Sequence, residues 1–348
     1  MKKITLLLFI FIVTQVSRAQ DLGDIILAAD DASKLTENYI RPVMNGLMYS
    51  MNGGWYTTAK THKKFGFDLT IEANGSFVPK ADEVFQFIQS DYTYSTLPNG
   101  ETSLPTVISS DETETTIDVR VPYNGNTYKV ASFNMPGGVG GDLPGNIVPA
   151  PMVQLGFGLP FHTDIKVRYV PTLNFNNDVE ANLIGVGLQH DLMHYFGPLD
   201  KLPLNVSVLA AFTTMDVTYN INDDNPNDEI TITNGKGAFK MNTWTLQALG
   251  SLDFPIITLY AGVGYNHGKS SLKIKGDYDI TYDVEDSNGN TVGTANESVT
   301  DPVNLNFDAN GVRTTLGARL NLGIFKIFGD YTLQKYNTVS AGIAFSFR

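Results

Sequence analysis

The feature that most constrains this chain is a two-residue alternation of apolar and polar side chains, which begins near Phe65 and continues to the C-terminus. From Val339 to Phe347 every odd position is apolar, and three of the four intervening positions are Ser or Gly. Successive side chains of a strand point to opposite faces, so each such segment predicts a strand with one apolar face. Chain ends usually fray unless they are held in a sheet, and this alternation therefore predicts that the last strand is a structural element.

Nine further segments repeat this period, which gives ten predicted strands. They are 65–73, 153–159, 164–169, 184–189, 204–213, 243–248, 257–266, 315–322 and 326–334. A soluble β-sandwich would turn the apolar side chains inward, whereas an outer-membrane barrel turns them toward lipid. Long strands, a polar face rich in Gly, Asn, Thr and Gln, and alternating short and long links favour the barrel. We predict an all-β, antiparallel transmembrane outer-membrane β-barrel of about 10–14 strands, with a short N-terminal helical hatch.

The first 19 residues have the organisation of a secretory signal peptide. Lys2 and Lys3 precede a short apolar core, and Ser17-Arg18-Ala19 supplies small residues at a cleavage site between Ala19 and Gln20. A membrane anchor is the alternative, but the core is too short to span a bilayer. Residues 1–19 are therefore predicted to direct export to the outer membrane of a Gram-negative-type bacterium.

Composition excludes several classes of function. The chain has no cysteine, which excludes disulfides, thiol catalysis, thiolate metal sites and an N-terminal lipidated cysteine. Its formal net charge is −12, and signal cleavage removes three of 24 basic residues and no acidic residue, which leaves −15. Nucleic acid requires a basic surface, so we predict no nucleic-acid partner.

Residues 20–60 form the only segment with helical periodicity. Apolar positions recur at helical spacing up to Leu35, and a second piece from Tyr39 to Met51 is expected to be broken by Pro42 and stopped by Gly53-Gly54. A surface helix and a hatch inside the barrel both fit this pattern. The residues predicted to act as the hatch are Leu47, Met48, Met51 and Trp55.

The barrel is predicted to occupy residues 61–348, with a long external link at 79–150. A hairpin is expected within that link, around Tyr123-Asn124-Gly125-Asn126. If the hairpin joins the wall, the barrel has twelve strands; otherwise it belongs to an external loop. The polar stretches 223–229 and 283–300 are predicted to be external loops as well.

Several charged side chains alternate toward the predicted lumen. Charges in a narrow barrel are costly unless they are paired or hydrated, so opposite signs favour a network that fills the lumen over a water path. These residues are Asp164, Lys166, Arg168, Arg319, Lys326 and Asp330.

No arrangement of residues predicts catalysis, a metal site or a cofactor. His190 and His194 have the spacing of two metal ligands on a helix, but His190 ends a strand, and residues four apart on a strand are about 13 Å apart. His162 with Asp164, and His267 with Ser270, lack a third orienting group. The acidic stretches 223–229 and 283–290 are better interpreted as solvated loops than as calcium sites, and Asn288-Gly289 in the second predicts a hairpin turn.

Two resemblances add to this interpretation. Phe345-Ser346-Phe347-Arg348 resembles the C-terminal aromatic signature read by the barrel-assembly machinery, which implies that machinery as a partner. The helical segment ahead of a barrel is similar to the N-terminal hatch of FadL-like transporters of hydrophobic compounds. Stretches 156–169 and 185–192 resemble an uncharacterised outer-membrane family with no assigned function.

Two hypotheses follow for function. The first, which the FadL-like resemblance implies, is passive uptake of a small hydrophobic compound through a hatch-gated barrel. The second is a barrel that transports nothing and anchors external loops for adhesion or partner binding. Either hypothesis makes outer-membrane lipid a partner, and neither requires enzymatic activity.

Overall fold

The computed structural model describes residues 29–98, 100, 102–123, 126–142, 145–175, 179–201, 203–221, 230–285 and 291–347. The predicted signal peptide, its cleavage site at Ala19 and Gln20, and the acidic stretch 223–229 lie outside the described residues. The elements are one helix, α1 (Ala29–Met51), and the strands β1 (Phe67–Phe77), β2 (Val84–Gln86), β3 (Ser95–Thr96), β4 (Ser103–Pro105), β5 (Thr115–Tyr123), β6 (Asn126–Met135), β7 (Ile147–Leu159), β8 (Thr163–Phe175), β9 (Val179–Asp191), β10 (Leu204–Asn220), β11 (Ile230–Asp253), β12 (Ile257–Glu285), β13 (Thr291–Thr300), β14 (Val303–Leu322), β15 (Phe325–Leu333) and β16 (Thr338–Phe347).

Ten of these strands form a closed antiparallel barrel. Their order is β1, β7, β8, β9, β10, β11, β12, β14, β15 and β16, with β11 paired to β12 to complete the ring. β16 pairs with β1 from Phe67↔Phe347 to Ser76↔Thr338, so the first and last strands of the barrel are neighbours. The predicted all-β barrel is confirmed, and its final strand closes it by pairing with the first.

The two faces of the wall have opposite chemistry. Large apolar side chains such as Leu155, Leu246 and Leu316 are more than half exposed on the outer face. Inward positions on the same strands carry buried polar side chains, among them Gln154, Thr245 and Thr315. An apolar exterior around a polar interior is the pattern of a transmembrane barrel and the reverse of a soluble one. Among the described residues, no helix combines the length and the hydropathy needed to cross a membrane.

We call the end of the barrel that carries the short connections the turn end, and the opposite end the loop end. Most of the long link forms a cap at the loop end, spanning residues 78–146. Here β3, β5 and β6 make one small sheet and β2 pairs with β4, all separate from the barrel wall. The predicted hairpin is therefore present as β5 and β6, and the twelve-stranded alternative is wrong. The link is shorter than predicted, because β7 begins at Ile147.

One predicted loop contains regular structure. Within the predicted external loop 283–300, β13 pairs with the outer end of β12, from Asp277↔Thr300 to Glu285↔Thr291, and the predicted hairpin turn at Asn288-Gly289 lies outside the described residues. Strand β12 continues past the wall to Glu285, and β13 folds back along it. The polar composition of this stretch predicted exposure to water but could not exclude a polar strand.

Helix α1 lies inside the loop end of the barrel. It contacts β1, β7, β12 and β14. The helix was expected to break at Pro42, but it runs unbroken from Ala29 to Met51. Proline costs one backbone hydrogen bond and about 3 kcal/mol in a helix interior. Ile40, Val43 and Met44 on either side of it are buried, and their packing offsets that cost.

The chain after α1, residues 52–66, runs through the lumen to the turn end, and together with α1 we call it the plug. Gly54 has φ +68°, and a side chain there would lie 2.0 Å from a carboxylate oxygen of Glu72, so this turn requires glycine. At the turn end, the N–H of Phe65 donates to the carbonyl of Gly158 at 2.9 Å. Strand β1 then begins at Phe67, whereas the strand was predicted from residue 65 and the barrel from residue 61.

Candidate functional site

The lumen has two levels, and the lower one is a polar network that fixes the plug. Arg168 is its central residue and is fully buried. The guanidinium donates to the backbone carbonyls of Met51 at 2.9 Å and Gly53 at 2.7 Å, and it pairs with Glu72 at 2.9 Å. It also lies 3.8 Å from the ring centroid of Trp55, a cation–π distance. Arg168 therefore satisfies the carbonyls at the C-terminus of α1 and joins them to the wall.

A second buried arginine repeats this arrangement on the opposite wall. Arg313 on β14 donates to the carbonyl of Asn52 at 2.6 Å and to Thr332 at 3.2 Å. Lys166 donates to the carbonyl of Trp55 at 2.6 Å, and the guanidinium of Arg319 donates to Thr57 at 3.1 Å. Cations of the wall thus hold the plug backbone by charge-assisted hydrogen bonds along its length.

At the turn end, His62 of the plug lies between two carboxylates. Its Nδ1 is 2.9 Å from Asp164 and its Nε2 is 3.2 Å from Asp68. Burial lowers the pKa of His62, but hydrogen bonds to Asp164 and Asp68 outweigh it, so the pKa is raised above its usual value. Only the imidazolium can donate from both nitrogens to both carboxylates. The last part of the plug is therefore best held when His62 is protonated.

This geometry predicts that the plug anchor weakens as the pH rises. A raised folded-state pKa gives stability that is present below about pH 6.5 and is lost as the pH rises through the pKa of His62. We expect wild type to exceed His62→Gln in melting temperature by a few degrees at pH 6, and by less at pH 9. Thermal unfolding of both proteins at the two pH values checks this. A difference in melting temperature that is equal at both pH values, or larger at pH 9, would contradict it.

The predicted lumen charges do not all enter this network. Asp164, Lys166, Arg168 and Arg319 are buried inside the barrel. Asp330 accepts a hydrogen bond from the Tyr260 hydroxyl at 3.0 Å. Lys326 differs, because it lies at the turn-end rim and donates to the carbonyl of Gly323 at 2.5 Å.

Four ionisable residues of the network were missed from sequence. Glu72 and Asp68 occupy inward positions of the first alternating strand, so the argument that selected Arg168 would also have selected them. Arg313 lies just before the predicted strand 315–322, and β14 begins earlier than that pattern showed. His62 precedes all strand periodicity, and no sequence signal marked it.

The upper level of the lumen holds an apolar cavity of about 270 Å³. It lies between α1 and strands β7 to β12, above the C-terminal end of the helix. The predicted hatch residues Leu47 and Met51 line it, whereas Met48 and Trp55 are buried elsewhere in the plug. The lining residues are Val43, Met44, Leu47, Met51, Val148, Pro149, Ala150, Pro151, Met152, Val170, Ala181, Asn182, Leu183, Met215, Val217, Tyr219, Gly237, Phe239 and Leu272.

Beside this cavity the barrel wall has a gap. Among the described residues, the pairing of β7 with β8 ends at Gln154↔Arg168, although both strands continue toward the loop end. Seven residues of each strand are left unpaired along this seam, a length of about 20 Å. Pro149 and Pro151 on β7, and Pro171 on β8, have no N–H to donate, so the two edges are poor partners for each other.

The cavity reaches this gap. Val148, Ala150 and Met152 point into the lumen, whereas Pro149 and Pro151 alternate with them and point outward. Residues of both sets border the cavity, and so does Val170 of β8. The cavity therefore lies directly beside the seam, which begins next to Tyr169, a residue exposed on the outer face.

Comparisons with known proteins place the chain in a family without an assigned activity. A protein-family model described as "Family of unknown function (DUF6588)" matches residues 1–347. No curated protein matches the sequence at a significant level.

Solved structures that resemble the barrel are outer-membrane proteins. Ail of Yersinia pestis is 12% identical, with 82% of this chain and 100% of that chain covered and a TM-score of 0.24. The translocator domain of NalP from Neisseria meningitidis is 10% identical, covers 82% and 89%, and has a TM-score of 0.27. The outer membrane protease OmpT from Escherichia coli is 10% identical, covers 83% and 100%, and also has a TM-score of 0.27. Similarities at this level support no inference about activity.

Proposed function

Because this chain belongs to DUF6588, a family of unknown function, we propose a function from its geometry: an outer-membrane barrel that captures a small hydrophobic compound and takes it up when the plug moves. The cavity between α1 and the wall carries this proposal. A cavity lined almost wholly by apolar side chains stays poorly hydrated and binds apolar molecules, whose transfer from water is favourable by about 25 cal/mol per Å² of buried surface.

The gap between β7 and β8 supplies a route into the cavity. A hydrophobic compound dissolved in the outer leaflet could pass this seam without crossing the charged network below. The prolines on both edges support such a role, because they keep the seam from closing by backbone pairing. The cap at the loop end, by contrast, is packed on α1 through an apolar cluster that includes Leu35. Entry through the cap would require this cluster to open, whereas entry through the seam would not.

Onward passage to the turn end requires the plug to move. Below the cavity, Arg168, Arg313 and Lys166 hold the plug backbone across the lumen. Ligand in the cavity contacts α1 directly, at Val43, Met44, Leu47 and Met51. A bound compound therefore acts on the helix whose C-terminal carbonyls these cations hold.

A reversible disulfide lock separates capture from uptake. An ideal Cβ at Gly53 lies 3.2 Å from Oγ of Ser340 on β16, which is compatible with a disulfide after Gly53→Cys and Ser340→Cys. The native chain has no cysteine, so no other disulfide competes. In proteoliposomes, we expect the oxidised double variant to bind naphthalene in the cavity but to show at least about 10-fold lower naphthalene flux than the reduced form, once the flux across protein-free liposomes is subtracted, because plug motion is blocked.

The single variant Gly53→Cys, treated with the same oxidant and reductant, is the control for the substitution itself. Equal flux in the oxidised and reduced double variant would contradict uptake through plug motion while leaving capture intact. Loss of binding in both states would instead point to a damaged cavity.

A larger side chain that fills the cavity is expected to prevent ligand binding. Ala150 lines the cavity from β7, and Ala150→Phe places a ring in that space. The matched control is Ala341→Phe, which adds the same group on the exposed outer face of β16. We expect Ala150→Phe to weaken naphthalene binding at least about 10-fold in nanodiscs, and Ala341→Phe to leave it unchanged, since excluded volume acts only inside the cavity. Equal binding by both variants would contradict the cavity as the site.

The second candidate function is an anchored external platform for adhesion or partner binding. One observation favours it: the cap is a folded unit with a buried cluster that includes Phe87, Tyr92, Leu104 and Ile117. Asp31 of α1 ties the cap to the plug, because its carboxylate accepts from the backbone N–H groups of three consecutive residues, Thr93, Tyr94 and Ser95. If the plug stays in place and the oxidised and reduced forms of the double cysteine variant show equal flux, this function is favoured.

A further inference from the structure

We infer that the cavity selects uncharged ligands, compact hydrocarbons of one or two rings, and rejects carboxylates of the same size. This inference rests on the proposed function and narrows it to a ligand class. It starts from the lining of the cavity, where the residues that the structure describes include no Asp, Glu, Lys, Arg or His. The polar side chains in the lining are those of Asn182 and Tyr219.

An anion in this cavity would lack a partner. Transferring a carboxylate from water into an apolar site is strongly unfavourable unless a cation and further hydrogen bonds compensate for lost hydration. Below the cavity, the guanidinium of Arg168 is engaged by Glu72, two plug carbonyls, Gln154 and Trp55. On the neighbouring wall, Lys236, Lys240 and Lys273 each lie next to a cavity-lining residue in sequence, so they point to the opposite face of their strand. None of these cations faces a ligand in the cavity.

Size and lining chemistry define the compound further. An apolar cavity of about 150 Å³ is large enough to bind benzene. The cavity here, about 270 Å³, is less than twice that, which suits one or two rings and is too small for a long acyl chain held entirely inside. Met44, Met51, Met152 and Met215 supply four flexible thioethers, and sulfur makes favourable contacts with aromatic rings. Compact aromatic hydrocarbons fit this lining best.

The test compares naphthalene with 2-naphthoate, which share a ring system and differ by one negative charge. Binding is measured by equilibrium dialysis against nanodiscs that hold wild type, Ala150→Phe or no protein, so that partition into lipid is subtracted. We expect naphthalene to bind wild type at least about 100-fold more tightly than 2-naphthoate, because the anion must be desolvated without a partner. Equal affinities would overturn the inference but leave the proposed function standing, whereas binding of neither compound would overturn the proposed function.

A gain of anion binding provides the converse test. Val170 lines the cavity beside the gap and is partly exposed, so the ammonium of Val170→Lys could lie at the cavity mouth. We expect Val170→Lys to raise the affinity for 2-naphthoate at least about 10-fold, and Val170→Met, which adds length without charge, to leave it unchanged. If Val170→Lys inserts and binds naphthalene but gains no affinity for 2-naphthoate, the absence of a cation is not what excludes anions, and the inference fails.

Discussion

A chain that lacks residues 341–348 is expected not to assemble into a barrel at all. The deletion removes most of β16, which pairs with β1 from Phe67 to Ala73 and with β15 from Phe325 to Gly329. Both neighbours would then present unpaired N–H and C=O groups from the turn end upward, whereas β7 and β8 stay paired at that end and separate only toward the loop end. In lipid each such group costs several kcal/mol, and this is why spanning sheets are closed.

Heat-modifiable migration in SDS gels and protease resistance in outer-membrane fractions report this assembly. We expect the truncated chain to show neither. A chain that lacks Arg348 alone is the control, because it keeps all the residue pairs between β16 and β1, which run from Thr338 to Phe347. Normal insertion of the 341–348 deletion would contradict the closure of the barrel through β16.

Arg168→Met is expected to produce the largest effect of any single substitution in the lumen. It leaves the carboxylate of Glu72 buried without its cation, and the carbonyls of Met51 and Gly53 without their donor. Breaking a buried ion pair from one side costs about 3–5 kcal/mol. The cost falls on the contact between plug and wall, so we expect the plug to become accessible to protease and the flux of small solutes to rise.

Two further variants separate this effect from general damage. Glu72→Gln combined with Arg168→Met removes the uncompensated charge, and we expect it to recover part of the lost free energy of unfolding. Arg120→Met breaks a partly exposed pair with Asp118 in the cap, where we expect at most about 1 kcal/mol. An Arg168→Met protein that matches wild type in unfolding and in flux would contradict the role of the network.

The sequence best predicted the features that depend on residues close together in the chain. The period of two assigns each residue of β1 and β16 to a face, and the choice between lipid and lumen followed from which face was apolar. The pairing of Phe67 with Phe347 was predictable because a closed barrel must join its first strand to its last. The period of two also located five of the six predicted lumen charges, and the sixth, Lys326, lies at the rim. It did not lead to Glu72 or Arg313, which carry as much of the network.

The features that give the site its chemistry depend on partners that are distant in sequence. The periodicity of α1 fits a surface helix as well as a helix inside the lumen, and only the carbonyl contacts of Arg168 and Arg313 distinguish the two. The gap beside β7 also could not be predicted from the sequence. Pro149 lies in the predicted link 79–150, and Pro151 is the first residue after it. The effect of both depends on the missing pairing with β8.

The most direct test of the central claim is a crystal structure of the protein soaked with 1-bromonaphthalene, recorded at the bromine absorption edge. We predict an anomalous peak inside the cavity bounded by α1 and strands β7 to β12, within contact distance of Met44, Leu47 and Ala150. A peak confined to the outer, lipid-facing surface, with none in the cavity at a saturating concentration, would contradict capture of hydrophobic compounds by this barrel.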